Sequence, residues 1–104
     1  MRLTDLPGAL RVQHLLGTAD KDVKALKYRS DKCEPGDAFF ALRGRDADGH
    51  DYIADAAARG AQVIFVDDAA ACAPEIKNHP DLTIVEVPDP RQATALTAAA
   101  FSRS

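Results

Sequence analysis

The sequence has only two cysteines among its 104 residues, Cys33 and Cys72, and they do not form a C-x-x-C pair. A disulfide-stapled secreted domain or a dithiol redox centre needs more thiols, or thiols at closer spacing. We therefore expect both cysteines to be free thiols in a reducing compartment.

Long apolar runs are also absent. No run approaches the roughly 18 to 20 residues that a membrane-spanning helix needs. The first ten residues, MRLTDLPGAL, lack the long apolar core of a signal peptide and contain an early Asp5 and Pro7. We therefore expect a cytoplasmic chain without a membrane partner.

A clustered basic patch is missing as well. The formal net charge is −3, and the basic residues between positions 21 and 29 are interspersed with acidic ones. Proteins that bind nucleic acids usually carry clustered lysines and arginines on one face. We therefore expect no nucleic-acid partner.

What the sequence does contain is the composition of a soluble globular protein. Hydrophobic residues make up 46% of the chain and charged residues 28%. The length suffices for one domain with one core, and no internal repeat or low-complexity block interrupts it. We expect a single domain over residues 1–104.

Apolar segments that read as strands alternate with segments of helical periodicity. The strand segments are 23–30, 38–42, 61–68 and 82–87. The helical segments are 50–60 and 88–101, the second beginning after Pro90. We expect a short helical turn and a loop over residues 2–16, and a short helix or loop broken at Pro74 over residues 69–78.

This alternation predicts a small three-layer α/β domain. Its sheet should be mainly parallel or mixed, with four or five strands and helices on its faces. Gly60 should end the first helix, and Asp37 should cap or pair locally after the Pro35-Gly36 turn.

The segment GRDADGHD, residues 44–51, follows the strand at 38–42. Its two glycines have the spacing of a phosphate-binding loop, but that loop continues with Lys and Ser or Thr. Here His50 and Asp51 stand in those positions, and three aspartates would repel a triphosphate.

A calcium loop fits the same segment poorly. Asp46 and Asp48 match ligand positions of an EF-hand, but the first ligand position would be Gly44, which has no side chain. An EF-hand also needs a helix where this chain has a strand-like run. The residues leave two interpretations open: a recognition loop at the carboxyl end of a strand, or a plain connection in which Asp48 caps the next helix.

A longer pattern runs from Tyr28 to the end of the chain. Its fixed positions are Pro35-Gly36-Asp37, Phe39, Ala41, Gly44, Asp48-Gly49-His50, Ile53, Ala56 and Gly60-Ala61, followed by TIVEVPDPRQATALTAAAF. This pattern resembles the N-terminal domain of the Mur ligases. Within that family it is most similar to the ligases that add the third amino acid of the peptidoglycan stem peptide.

The resemblance implies that the domain binds the uridine end of a UDP-N-acetylmuramoyl-dipeptide. Carried onto this sequence, the contacts with uracil and its neighbouring groups fall at Tyr28 and Ser30, and at Arg45, Asp46 and Ala47. No metal ligand and no catalytic residue is implied in this part of the ligase.

One triplet departs from the family's pattern. The family has Asp-Ser-Arg where this chain has Arg29-Ser30-Asp31, so the serine is kept and its charged neighbours are exchanged. If the two neighbours pair with each other, the exchange preserves the pair. If either contacts the nucleotide, uridine binding is weakened.

The resemblance also implies that different domains of the ligase bind the substrate and ATP. Mur ligases use ATP and Mg²⁺ in a central domain, and the chain contains no G-K-[ST] sequence to hold a triphosphate. We therefore expect a substrate-binding part of a bacterial ATP-dependent ligase, inactive alone, with the remaining domains in cis. The alternative is a stand-alone interaction module that keeps the fold and has lost nucleotide binding.

Overall fold

The computed structural model describes residues 3, 10–18, 20–41, 52–68 and 78–103. The strands are β1 (His14–Leu16), β2 (Leu26–Lys27), β3 (Ala38–Phe40), β4 (Val63–Val66) and β5 (Thr83–Glu86), and the helices are α1 (Ile53–Ala58) and α2 (Pro90–Arg103). A 3-10 turn, Ser30–Lys32, follows β2.

The five strands form one sheet in the order β1-β5-β4-β3-β2. Strands β2 to β5 are parallel to one another, whereas β1 runs antiparallel to β5. The predicted α/β class with a mixed sheet is therefore confirmed.

Side chains of β4 alternate between two cores. Ile64 and Val66 pack in the cluster that contains α1, and Val63 and Phe65 pack in the cluster that contains α2. All four are fully buried. Successive residues of a strand point to opposite faces, so a strand that is apolar throughout needs cover on both sides. This produces the three layers.

Helices α1 and α2 each bury one face against the sheet. In α1 the buried residues are Ile53, Ala56 and Ala57. In α2, which begins at Pro90, Ala93 is buried and Leu96 packs partly against the same cluster. Proline suits the first position of a helix because its missing N–H needs no partner there.

The expectation of a turn and loop through residue 16 is wrong, because residues 14–16 form β1. The sequence pattern does not indicate this edge strand, because its residues do not alternate between buried and exposed positions. His14 and Leu15 are exposed and Leu16 is half-buried. Its pairing with β5 is set by tertiary structure rather than by its own pattern.

Strand β2 is also shorter than the predicted segment 23–30. Predicted element residues at 42, 50–51 and 69–77 lie outside the described residues. In the part of the chain that the structure describes, no helix is long and apolar enough to cross a membrane.

Gly60 joins the end of α1 to the turn that precedes β3. Its φ is +104°, and a Cβ there would lie 2.7 Å from Pro35 Cα. The Gly36 N–H donates to the Gly60 carbonyl at 3.1 Å. Only glycine permits this approach of two backbone segments.

We expect Gly60→Ala to lower the free energy of unfolding by about 3 kcal/mol, because it combines a left-handed backbone with a clash against backbone atoms. Gly36→Ala is the matched control. Its φ of +91° is similar, but its Cβ would meet only the flexible Lys24 side chain, at 3.4 Å, and the cost should be about 1 kcal/mol. Urea denaturation measures both, and equal losses would contradict this account.

Candidate functional site

The carboxyl ends of β2, β3, β4 and β5 lie at one edge of the sheet, because these strands are parallel. In open α/β sheets, ligands bind at this edge. The segment that leaves β2 there contains two of the predicted contact residues, Tyr28 and Ser30. This edge is the candidate site.

Tyr28 presents an aromatic ring at the edge. The residue is 49% exposed. Its ring centroid lies 5.6 Å from that of Phe40, with the two rings tilted by 37°. Phe40 in turn stacks on Phe65 at 4.5 Å. The tyrosine therefore rests on a rigid aromatic pair and keeps surface available for a planar ligand.

Ser30 is only 7% exposed. Its carbonyl accepts the Cys33 N–H at 3.1 Å, which closes the 3-10 turn. Its side chain is the largest cause that lowers the pKa of Asp55, in the first turn of α1. Helix α1 and the turn after β2 pack against each other here.

Asp55 has a second partner, Arg59, whose Nε donates to Asp55 Oδ1 at 3.1 Å. The hydrogen bond from Ser30, followed by the contacts with Arg59, holds the pKa of Asp55 below its ordinary value. Donors that stabilise the charged form of an acid act in this direction. Asp55 is therefore ionised at neutral pH and can only accept hydrogen bonds.

The exchanged neighbours of Ser30 bind each other. Arg29 Nε donates to Asp31 Oδ1 and Arg29 Nη2 donates to Asp31 Oδ2, both at 3.1 Å. This two-pronged geometry suits a guanidinium and a carboxylate. Of the two alternatives, the structure therefore shows the first: the charged neighbours of Ser30 pair with each other.

The remaining predicted contacts, Arg45, Asp46 and Ala47, lie outside the described residues, as does the rest of the 44–51 segment. The structure places Tyr28 and Ser30 at one edge of the sheet, and all five predicted contacts stay predictions.

Sequence reasoning missed Asp55 and Arg59 as part of this site. Their i,i+4 spacing on a helix indicates an ion pair. The contact with Ser30, 25 positions earlier in the chain, has no local signature. Only the packing of α1 against the 3-10 turn brings the serine and the aspartate together.

Asp37 is fully buried at the opposite, amino end of β3. Its Oδ2 accepts the Glu34 N–H at 2.9 Å and lies 3.6 Å from Lys27 Nζ. Its Oδ1 has no hydrogen-bond partner among the described residues. The predicted local capping by Asp37 is confirmed.

A cleft of about 420 Å³ opens beside the carboxyl end of β5. It is lined by Leu10, Arg11, Pro88, Asp89, Gln92, Ala93 and Leu96. Asp89 Oδ1 accepts the N–H groups of Arg91 at 3.0 Å and Gln92 at 3.3 Å, so it caps α2. The helix start presents a carboxylate to the cleft, which does not suit a phosphate.

The residues that the structure describes form no site that fits ATP or a resident metal ion. The sequence has no G-K-[ST] loop to hold a triphosphate. Within the ranges that the structure describes, no three or more His, Cys, Asp or Glu side chains converge as a metal site requires.

A family model described as Mur ligase family, catalytic domain matches residues 22–102. The chain belongs to the Mur ligase family. The predicted family is therefore confirmed, and its match includes β2 to β5 and both helices.

Two curated relatives are named UDP-N-acetylmuramoyl-L-alanyl-D-glutamate–2,6-diaminopimelate ligase. The protein from Mesorhizobium japonicum is 41% identical over 103 residues, and the protein from Cytophaga hutchinsonii is 35% identical over 101. Each alignment covers 97% of this chain and 20% of the relative. This Mur ligase chain therefore spans about a fifth of the length of the relatives it matches.

A solved structure of MurF from Acinetobacter baumannii shares the fold. It is 25% identical, with a TM-score of 0.70 over 94% of this chain and 20% of the other. Similarity both to the diaminopimelate ligases and to MurF agrees with a Mur ligase domain that different peptidoglycan ligases share.

We expect Ser30→Ala to raise the pKa of Asp55 toward its ordinary value, because the largest stabiliser of the charged form is removed. A carboxyl whose pKa is lower in the folded chain than in the unfolded chain stabilises the fold at pH values above its unfolded pKa. This stabilisation is lost as the pH falls through the folded pKa. In the variant the folded and unfolded pKa values of Asp55 come together, so the acid-side loss of stability that Asp55 contributes should become smaller. An NMR titration of the Asp55 carboxyl carbon measures the shift.

The control variant is Thr94→Ala, which removes a hydroxyl in α2 that donates to the Arg91 carbonyl. This variant should leave the pKa of Asp55 unchanged. An unchanged Asp55 pKa in Ser30→Ala would show that the serine does not hold this carboxylate.

Burial raises the pKa of the Cys33 thiol to about 11, and the charge of Asp37 adds to the effect. An acid whose pKa is raised on folding stays protonated after the unfolded chain has ionised, so stability should fall as pH rises above about 9. Cys33→Ala should remove that fall.

In a Cys72→Ser background, we expect Cys33 to react slowly with a disulfide reagent at pH 8 and rapidly in urea, because only the exposed thiolate is nucleophilic. Fast labelling of the native chain would contradict the buried position.

Proposed function

We propose that this chain binds the uridine end of a UDP-N-acetylmuramoyl-dipeptide as one domain of a peptidoglycan ligase. The observation that carries the proposal is that the segment leaving β2 at the carboxyl edge of a parallel sheet holds both a half-exposed aromatic residue, Tyr28, and a nearly buried serine, Ser30. The relatives it matches over 97% of its length are named for such a UDP-linked substrate.

The two residues suit the two properties of a uracil ring. The ring is planar, and stacking on an aromatic side chain is worth about 1–3 kcal/mol per base in single-stranded nucleic-acid sites. Its edge carries hydrogen-bonding groups, which the oxygen of Ser30 can meet. Arg45, Asp46 and Ala47 would complete the contacts from the next loop.

The complete ligase would join diaminopimelate to the dipeptide with ATP and Mg²⁺, as the names of the relatives and the family resemblance suggest. The matched model is described as catalytic, but this sequence lacks the phosphate loop. We assign this chain the orienting role: it holds the nucleotide while other domains carry out the chemistry.

Calorimetric titration of the 104-residue chain with UDP and with UDP-N-acetylmuramoyl-dipeptide tests the proposal. We expect saturable binding with a Kd of roughly 0.1 to 1 mM, equivalent to about −4 to −5.5 kcal/mol, because one domain supplies only part of the site. Ser30→Ala and Asp46→Ala should weaken binding. Glu34→Ala, which removes a carboxylate from the exposed ion pair with Lys24, should not.

Absence of heat, together with unchanged NMR chemical shifts at millimolar UDP, would contradict uridine binding. That result would instead favour the interaction module that has lost the nucleotide.

A further inference from the structure

Strand β2 is short and lies at the edge of the sheet. It has two residues, Leu26 and Lys27, and both are half-buried. Every residue offers a similar backbone donor and acceptor, so bonds such as that from the Ala38 N–H to the Ala25 carbonyl, at 2.9 Å, do not select which residues pair. Because burial does not distinguish the two faces of β2, its hydrophobic pattern specifies the register on β3 only weakly.

The register of β2 decides which face of the sheet Tyr28 occupies. Tyr28 follows β2 directly, and its ring contacts Phe40, which packs in the cluster that contains α2. Lys27 pairs with Phe39, which packs in the cluster that contains α1. Since successive side chains of a strand point to opposite faces, a slip of one residue would move Tyr28 away from Phe40.

Asp37 provides a fixed negative charge directly before β3. It is fully buried, and its Oδ2 accepts the Glu34 N–H at 2.9 Å. Its Oδ1 has no hydrogen-bond partner among the described residues. A buried carboxylate is costly unless a cation pairs with it. In this structure Lys27 supplies that cation, with its Nζ 3.6 Å from Asp37 Oδ2.

The ion pair can form in one register only. A slip of one residue would turn Lys27 to the α2 face and leave Asp37 without its cation. A slip of two residues would keep the face but displace Lys27 by about 6.6 Å along the strand. Fixing the register of packed elements is the best-attested role of buried polar groups.

We propose that Asp37 and Lys27 are positioning residues, whose ion pair sets the register of β2 on β3 and thereby holds Tyr28 against Phe40. The placement of Tyr28 does not depend on any ligand. Its consequence for uridine binding rests on the proposed function.

NMR spectroscopy of the 104-residue chain tests the placement. The wild type should show nuclear Overhauser contacts between the rings of Tyr28 and Phe40, whose centroids lie 5.6 Å apart. Asp37→Asn removes the charge but keeps an oxygen that accepts the Glu34 N–H. We expect the ring contact in this variant to fall below about half of its wild-type intensity, with new resonances from a second register.

Lys27→Met removes the other partner and keeps a long unbranched side chain. It should weaken the ring contact and lower the thermal unfolding temperature, because Asp37 is left as an unpaired buried charge. The double variant Asp37→Asn/Lys27→Met leaves no unpaired charge and should regain thermal stability while the ring contact stays weak. It also serves where a single variant does not fold. A purely structural role would restore stability and contact together.

Two controls isolate the buried pair. Lys27→Arg keeps a cation and should keep the ring contact. Lys24→Met is the matched exposed variant, because Lys24 Nζ lies the same 3.6 Å from Glu34 Oε2, with both side chains more than half exposed. Exposed pairs contribute little, so this variant should keep the contact as well.

Full ring contact in a folded Asp37→Asn, Lys27→Met or double variant overturns the positioning role. Loss of the contact in Lys27→Arg, or an equal loss in Lys24→Met, also overturns it.

UDP is then titrated into each folded protein. The apparent Kd should rise at least about twofold in Asp37→Asn, because only chains in the wild-type register are competent to bind. A wild-type chain that shows the ring contact but binds no UDP at millimolar concentration overturns the proposed function and leaves the register assignment intact.

Discussion

Burial of β4 on both faces is the constraint from which the rest of the domain follows. Val63 to Val66 have no exposed side, so one helix must cover each face of the sheet. Because β2 to β5 are parallel, covering them with helices also aligns their carboxyl ends. The uridine contacts that we propose lie at this edge, while the amino edge holds the capping carboxylate of Asp37.

A contact between α1 and the 3-10 turn that follows β2 lies beside that edge. It connects the turn after β2 to the helix after β3, two segments that the backbone ladder does not join. Gly60 and the Pro35 turn make the corresponding connection at the other end of α1. The six-residue helix α1 is therefore held near both of its ends.

Much of the fold could be predicted because apolar runs, such as residues 61–68, indicate buried strands. Strand β1 could not, since its residues are exposed and its pairing with β5 is a tertiary effect. The family pattern led to Tyr28 and Ser30 as contacts, but it could not assign Asp55 to the site. Which groups meet across the fold depends on tertiary packing, which a linear sequence does not show.

The Arg29–Asp31 pair has a consequence for how such sites diverge. Both side chains are largely exposed, at 73% and 48%, and exposed pairs are worth about 0–1 kcal/mol. A like-charged intermediate between Asp-Ser-Arg and Arg-Ser-Asp would therefore cost little. The reversal inverts the local dipole around the serine while the net charge stays at zero. Exchange between the two triplets would thus cost little stability, so the order of the charges can change while the serine between them is kept.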